Sequence, residues 1–190
     1  MGPNLELIAE SIRKAETNRT PISPIREQIG VTDIASAYKI QNINTILRLQ
    51  NGARVIGKKI GLTSPSVQKQ LGVDQPDFGM LFDDMELLNG QAISISEIMQ
   101  GKAEAEIAFV LAEDIDHESI TLTELMECID YALPAIELVG SRIENWDIKI
   151  TDTIADNASA SHFVLGHTPK TLDEFDVVDC KMYMLSLIHI

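Results

Sequence analysis

The sequence predicts an α+β fold, with helices first and then a sheet into which one further helix is inserted. Three observations predict it. Apolar residues over roughly the first fifty positions recur at three- and four-residue spacing. From Arg54 onward the apolar segments become short, β-branched and alternating. A helical stretch with capping-box spacing, near Thr121, is inserted among those strands.

Leu5, Ile8, Ile12 and Ala15 line one face of a first helix. Ser23-Pro24 reads as an N-cap followed by proline in the first turn, and Gly30 closes that short segment. A longer helix runs from Thr32 to about Gln50 with a stripe of Ile40, Ile43 and Leu47, and Asn51-Gly52 stops it. Arg54 to Leu62 is a strand, Ser64-Pro65 opens a short helix ending at Gly72, and residues 73–79 are loop. Met80 to Phe82 and Ala92 to Ile95 are strands, and Ala103 to Leu111 is the clearest one. Thr121 and Glu124 have capping-box spacing, and Leu122, Leu125, Met126, Ile129 and Leu133 follow on one helical face. Leu133 to Gly140, interrupted early by Pro134, and Ser161 to Leu165 complete the sheet. The chain divides into a helical region, 1–53, and a sheet-bearing region, 54–190, with no internal repeat.

Composition narrows the function. Of 190 residues 45% are hydrophobic and 23% charged, the balance of a globular protein with a real core. The net charge of −14 is wrong for a surface that must face phosphates, so nucleic acid is not an expected partner. The longest apolar run, Ile107 to Ala112, is far short of a membrane span, and the N-terminus lacks the pattern of a secretory signal. Cys128 and Cys180 have no zinc spacing and set up no disulfide framework, so the expected setting is the cytoplasm.

The acids carry the chemistry. Along 103–111, Ala103, Ala105, Ile107, Phe109 and Leu111 point one way, while Glu104, Glu106, Ala108 and Val110 point the other. Glu104 and Glu106 therefore share a face. The commoner reason for that spacing is a solvated surface, but Ala108 and Val110 continue the same face without polarity. Glu137 sits inside the apolar run Leu133-Pro-Ala-Ile-Glu-Leu-Val139, where a carboxylate needs a partner or a metal. Three carboxylates from two strands suit a hard divalent cation, Mg²⁺ or Mn²⁺.

Lys58 and Lys59 follow each other in a strand, and alternation sets Lys59 on the side of Gly57 and Gly61, where a ligand has room. Spacing alone does not choose between the two lysines or exclude a surface role for both. Asp77 lies in Gln75-Pro-Asp-Phe-Gly79, where a turn aspartate is the ordinary reading. The histidines at 117, 162, 167 and 189 lack metal-ligand spacing and read as incidental. There is no GxSxG, P-loop or dinucleotide fingerprint.

Five stretches occur in one order: Gly57-Lys-Lys-Ile-Gly-Leu-Thr63, Gln70-Leu-Gly-Val-Asp-Gln-Pro-Asp-Phe-Gly79, Ala103-Glu-Ala-Glu-Ile-Ala108, Pro134-Ala-Ile-Glu-Leu-Val-Gly-Ser-Arg142 and Ala155-Asp-Asn-Ala-Ser159. Together they resemble the 2-keto-4-pentenoate hydratase (2-hydroxypenta-2,4-dienoate hydratase) branch of the fumarylacetoacetate hydrolase superfamily, from the N-terminal helices to about residue 166. The resemblance implies a mixed β-roll catalytic core after the N-terminal helices, and a homo-oligomer. It implies a metal-dependent hydratase that adds water to 2-hydroxypenta-2,4-dienoate to give 4-hydroxy-2-oxopentanoate in aromatic-compound catabolism. It assigns metal binding to Glu104, Glu106 and Glu137, the functional lysine to Lys59, and brings Asp77 to the active site. Related enzymes include 4-oxalocrotonate decarboxylases, and the Gln-Pro-Asp-Phe-Gly stretch is more similar to the hydratases. Relatives continue past residue 190, and Lys181 to Ile190 is unlike their continuing strand, so the expectation is a core lacking its C-terminal part, with an inactive assembly subunit as the alternative to an enzyme.

Overall fold

The computed structural model describes residues 2–116 and 119–186, and the chain folds as two compact units. The first comprises residues 1–86, 92–102 and 138–162; the second comprises 87–91, 103–137 and 163–190. Helices and strands mix along the chain as an α+β fold requires.

The first unit is built on helices α1 (Leu5–Asn18), α2 (Arg26–Ile29) and α3 (Ile34–Gln50). Asn4 caps α1 by accepting from the Leu7 amide at 3.1 Å, and Ile8, Ile12 and Ala15 on its expected face are buried. Ile8 and Ile12 pack with Ile25, Ala37, Ile40 and, from α6 (Ile150–Ala155), Ile154 into one apolar core. The buried face of α3 also carries Gln41 and Thr45; the Gln41 amide donates to the carbonyls of Phe78 at 2.7 Å and Ile154 at 3.0 Å. Strands β1 (Val55–Gly61) and β2 (Asp77–Phe82) pair antiparallel in this unit, joined through α4 (Pro65–Leu71), which ends on a left-handed Gly72 as expected.

The second unit holds most of a four-stranded sheet whose order is β3 (Glu86–Leu87), β6 (Ala160–Leu165), β5 (Ile129–Val139), β4 (Lys102–Leu111). Helix α5 (Leu122–Glu127) precedes β5 and has the expected capping box, with Thr121 Oγ1 accepting from the Glu124 amide and the Glu124 carboxylate accepting from the Thr121 amide.

Four expectations are corrected. Ser23 does not cap α2; its hydroxyl donates to Glu144, and the Arg26 amide is received instead by Asp152 Oδ1 at 2.9 Å, a cap supplied from another helix. Residues 92–95 form no strand, because Ser94 and Glu97 make a capping box around a 3₁₀ turn and leave Ile95 79% exposed. The helix after Thr121 stops at Glu127, and Ile129 and Leu133 stand on β5; their four-residue spacing satisfies the strand period as well as the helical one. Asp77 begins a strand rather than sitting in a loop.

Asp152 carries more of the first unit than its length suggests. Fully buried, it accepts from the Arg26 amide, the Arg26 guanidinium at 2.7 Å and the Lys149 amide at 2.9 Å. Removing one partner of a buried ion pair strands the other. Asp152→Ala is therefore expected to cost about 3–5 kcal/mol in urea denaturation, and Asp152→Asn, which keeps an acceptor for the amides, distinctly less.

Candidate functional site

The second unit brings its three expected acids together. Glu104 and Glu106 come from β4 and Glu137 from β5, neighbouring strands of the sheet. One carboxylate oxygen from each lies within 4.8 Å of the other two. Exposure falls along the set: Glu104 is exposed, Glu106 half-buried, and Glu137 buried at 6%. The donor set is all oxygen and anionic, which fits a hard divalent cation with room left for water or a chelating ligand. Glu106 also borders a cleft of about 440 Å³ walled by Ile107, Pro134 and Ile136, a size suited to a small acid.

The first unit holds the other expected residues. Lys59 pairs with Gly79 across β1 and β2, and Gly61 pairs with Asp77. The two glycines make the space. A methyl on Gly61 would strike the Asp77 carboxylate and stand 3.3 Å from Lys59 Nζ; one on Gly79 would strike the Asn157 carbonyl and stand 3.1 Å from Lys59 Cδ. The Lys59 ammonium and the Asp77 carboxylate thus converge over Gly61. Lys59 Nζ donates to the Ala158 carbonyl at 2.9 Å, while Lys58 on the same strand is exposed, which separates the two lysines as spacing alone does not. Asp77 is only 2% exposed.

Several residues here have no role assigned by the sequence, although Asn157 to Ser159 lie in one of the five stretches that carry the resemblance. Asn157, Ala158 and Ser159 all adopt left-handed backbone, φ 55°, 50° and 57°, a run that non-glycine residues avoid. The Asn157 amide grips β2, accepting from the Met80 amide at 2.7 Å and donating to the Met80 carbonyl at 2.9 Å. The Ser159 hydroxyl is buried with no hydrogen-bond partner among the described residues. Tyr38 is half-buried close enough to feel Asp77; burial first, and the Asp77 charge besides, hold its phenol above the usual range, although the Phe78 backbone pulls it down. No periodicity reveals such residues, because a left-handed turn in Asp-Asn-Ala-Ser contains no glycine to announce it. His162 bonds to the Ser161 hydroxyl, and burial lowers its pKa; His117 and His189 lie outside the described residues.

No family model matches the chain. Among curated proteins it is similar to a TodF product hydratase of Pseudomonas putida, 52% identical over 176 residues, covering 93% of this chain and 66% of the relative. It is 48% identical over 179 residues to 2-keto-4-pentenoate hydratase 2 of Dechloromonas aromatica, covering 94% of this chain and 68% of the relative. A 2-hydroxypent-2,4-dienoate hydratase of Pseudomonas putida is 41% identical over 176 residues, covering 92% and 79%. Among solved structures, the 4-oxalocrotonate decarboxylase of Pseudomonas putida complexed with magnesium and adipate superposes with a TM-score of 0.85 at 31% identity, covering 91% of this chain and 66% of that one. A fold of this decarboxylase type carrying a cluster of three carboxylates defines the class. The chain belongs to the 2-keto-4-pentenoate hydratase family, whose members are named as hydratases, and it spans about two thirds of the length of most of the curated relatives it matches.

The glycines give a test of the geometry. Overfilling a packed site costs about 1–3 kcal/mol. Gly79→Ala is expected to destabilise more than Gly61→Ala in urea denaturation, because the first methyl meets a backbone carbonyl and the second a side chain that can turn aside. Equal losses, or the reverse order, would contradict the arrangement.

Proposed function

We propose that this protein is a divalent-metal-dependent hydratase that adds water to 2-hydroxypenta-2,4-dienoate, giving 4-hydroxy-2-oxopentanoate in the breakdown of aromatic compounds. The convergence of Glu104, Glu106 and Glu137 carries the proposal. These three residues hold the cation, Mg²⁺ or Mn²⁺. When bound, it would supply Lewis-acid polarisation of a 2-oxo acid. The magnesium and calcium in the solved relatives' structures support a hard divalent ion.

The reaction needs two proton movements and one water. Ketonisation of the dienol puts a proton on the terminal carbon and leaves a conjugated 2-oxo acid; water then adds at the carbon β to the carbonyl, with a proton to the α carbon. Atoms balance as one water gained. Lys59, whose ammonium donates to the Ala158 carbonyl, orients an anionic substrate or donates a proton. Asp77, buried beside it, accepts or returns the proton. Tyr38, with its phenol held in the protonated form, adds an uncharged donor near that carboxylate.

The chain is further proposed to assemble as a homo-oligomer in the cytoplasm. Exposed apolar residues such as Leu7, Ile46 and Leu49 support assembly, and two free thiols support a reducing setting. Among the described residues, no helix is long and apolar enough to cross a membrane.

A second reading, decarboxylation of a 2-oxo dicarboxylate, is favoured by the likeness to the decarboxylase structure. Loss of dienoate absorbance without CO₂ release supports hydration; CO₂ release supports decarboxylation. Calorimetric titration with Mg²⁺ tests the centre directly. Glu106→Gln and Glu137→Gln are each expected to weaken Mg²⁺ binding at least tenfold, and chelation by EDTA to abolish turnover until Mg²⁺ is restored. If Glu106→Gln leaves both Mg²⁺ affinity and turnover intact, the proposal is wrong.

A further inference from the structure

The left-handed turn Asn157–Ser159 is costly and contains no glycine, so something must hold it. Three consecutive left-handed residues cost roughly 1–2 kcal/mol each. Both residues that flank it, Asp156 and Ala160, are gripped by one side chain. Arg142 is 7% exposed at its side chain and Asp156 1%. Arg142 Nε donates to Asp156 Oδ1, its Nη2 donates to the Asp156 carbonyl at 2.6 Å, and its Nη1 to the Ala160 carbonyl at 3.2 Å. The Arg142 amide completes the clasp, donating to Asp156 Oδ2 at 3.0 Å. Between the two gripped carbonyls, the turn presents the Ala158 carbonyl to Lys59 and the Asn157 amide to Met80.

We infer that Arg142 is a positioning residue: its guanidinium staples the two ends of the turn 156–160 and, through Ala158, fixes where the Lys59 ammonium stands. The inference rests on the proposed role of Lys59. A planar five-donor fork is what the task requires, since it must meet two carbonyls and a carboxylate at fixed angles, and a lysine offers no such fork. Burial pushes the Asp156 carboxyl up to about 6 against the pull of Arg142. Arg142 itself touches neither Lys59 nor Asp77 through any hydrogen bond described, so its effect on them passes through the turn.

Lys58 supplies an internal control, being exposed on the same strand. Arg142→Lys and Asp156→Asn in the 190-residue chain are treated with an amine-acetylating reagent, and the labelling rates of Lys58 and Lys59 are read by peptide mass spectrometry. The expected result is a fivefold or greater rise in Lys59 labelling with Lys58 changed less than twofold, and faster exchange of the Met80 amide proton. Turnover is expected to fall at least tenfold in kcat with KM within threefold, and Arg142→Lys to add little further loss on top of Lys59→Met. Unchanged Lys59 labelling in a folded variant overturns the inference. So does a parallel rise at both lysines, or loss of the fold in both variants, either of which makes the pair a core prop only. If labelling responds as expected but Lys59→Met keeps full turnover, the staple stands and the proposed role of Lys59 falls.

Discussion

Like charges brought together inside a protein are the constraint on which the second unit depends. Three carboxylates with oxygens within 4.8 Å repel one another by roughly 3 kcal/mol per pair at an effective dielectric near 20, less where solvent reaches Glu104. A fold does not sustain that arrangement for packing alone, because Glu137 occupies a strand position that any apolar residue would fill at lower cost. The sheet order explains how the repulsion is imposed. With β4 and β5 adjacent, side chains on one face of both strands stand side by side, close enough for their ends to meet. A divalent cation bound there would reverse the sign of the interaction.

The first unit solves a different problem, that of placing a lysine and an aspartate close together while leaving space for something else. Charges of opposite sign need no persuasion to approach; what the fold must supply is room. Gly61 and Gly79 clear it on the strands, and the left-handed turn clears it from the other side by presenting a carbonyl to Lys59 in place of a side chain. The helical core is tied to this place through Gln41, whose amide links α3 to the carbonyls of Phe78 and Ile154. Buried polar groups tie these elements together, and each has several geometrically demanding bonds. Such networks specify one arrangement at the expense of tolerance to substitution.

Much of this was legible in the sequence wherever one signal dominated. The first and third helices follow from an apolar stripe, and α5 from its capping box. Glu137 stood out because a carboxylate in an apolar strand demands an explanation, whereas Glu104 and Glu106 had an ordinary one and gained meaning only beside it. Errors arose where two physical signals overlapped. Residues four apart share a face in a helix and in a strand, so Ile129 and Leu133 were consistent with either. Alternation at 92–95 competed with the Ser94–Glu97 box, and local side-chain bonds to the backbone won. Asp77 in a Pro-Asp-Phe-Gly context reads as a turn until the glycine-bearing strand opposite it is known. The clasp around 156–160 was invisible for a different reason: it joins residues 14 and 18 positions apart whose side-chain types carry no spacing rule.

Hydratase and decarboxylase readings share their first requirement, which is to polarise a 2-oxo acid through two of its oxygens, and three carboxylates around a hard ion serve both equally well. The reactions part over the rest of the molecule. Decarboxylation must hold a second carboxylate in place until it leaves as CO₂, and it then needs one proton. Hydration must deliver protons to two carbons and admit one water to the face of a conjugated double bond. If Lys59, Asp77 and Tyr38 act as proposed, an amine, a carboxyl and a phenol answer the second demand more fully than the first. On the proposed reading, the class of substrate is thus the part of the problem that belongs to the carboxylates, and the supply of protons is the part that separates hydration from decarboxylation.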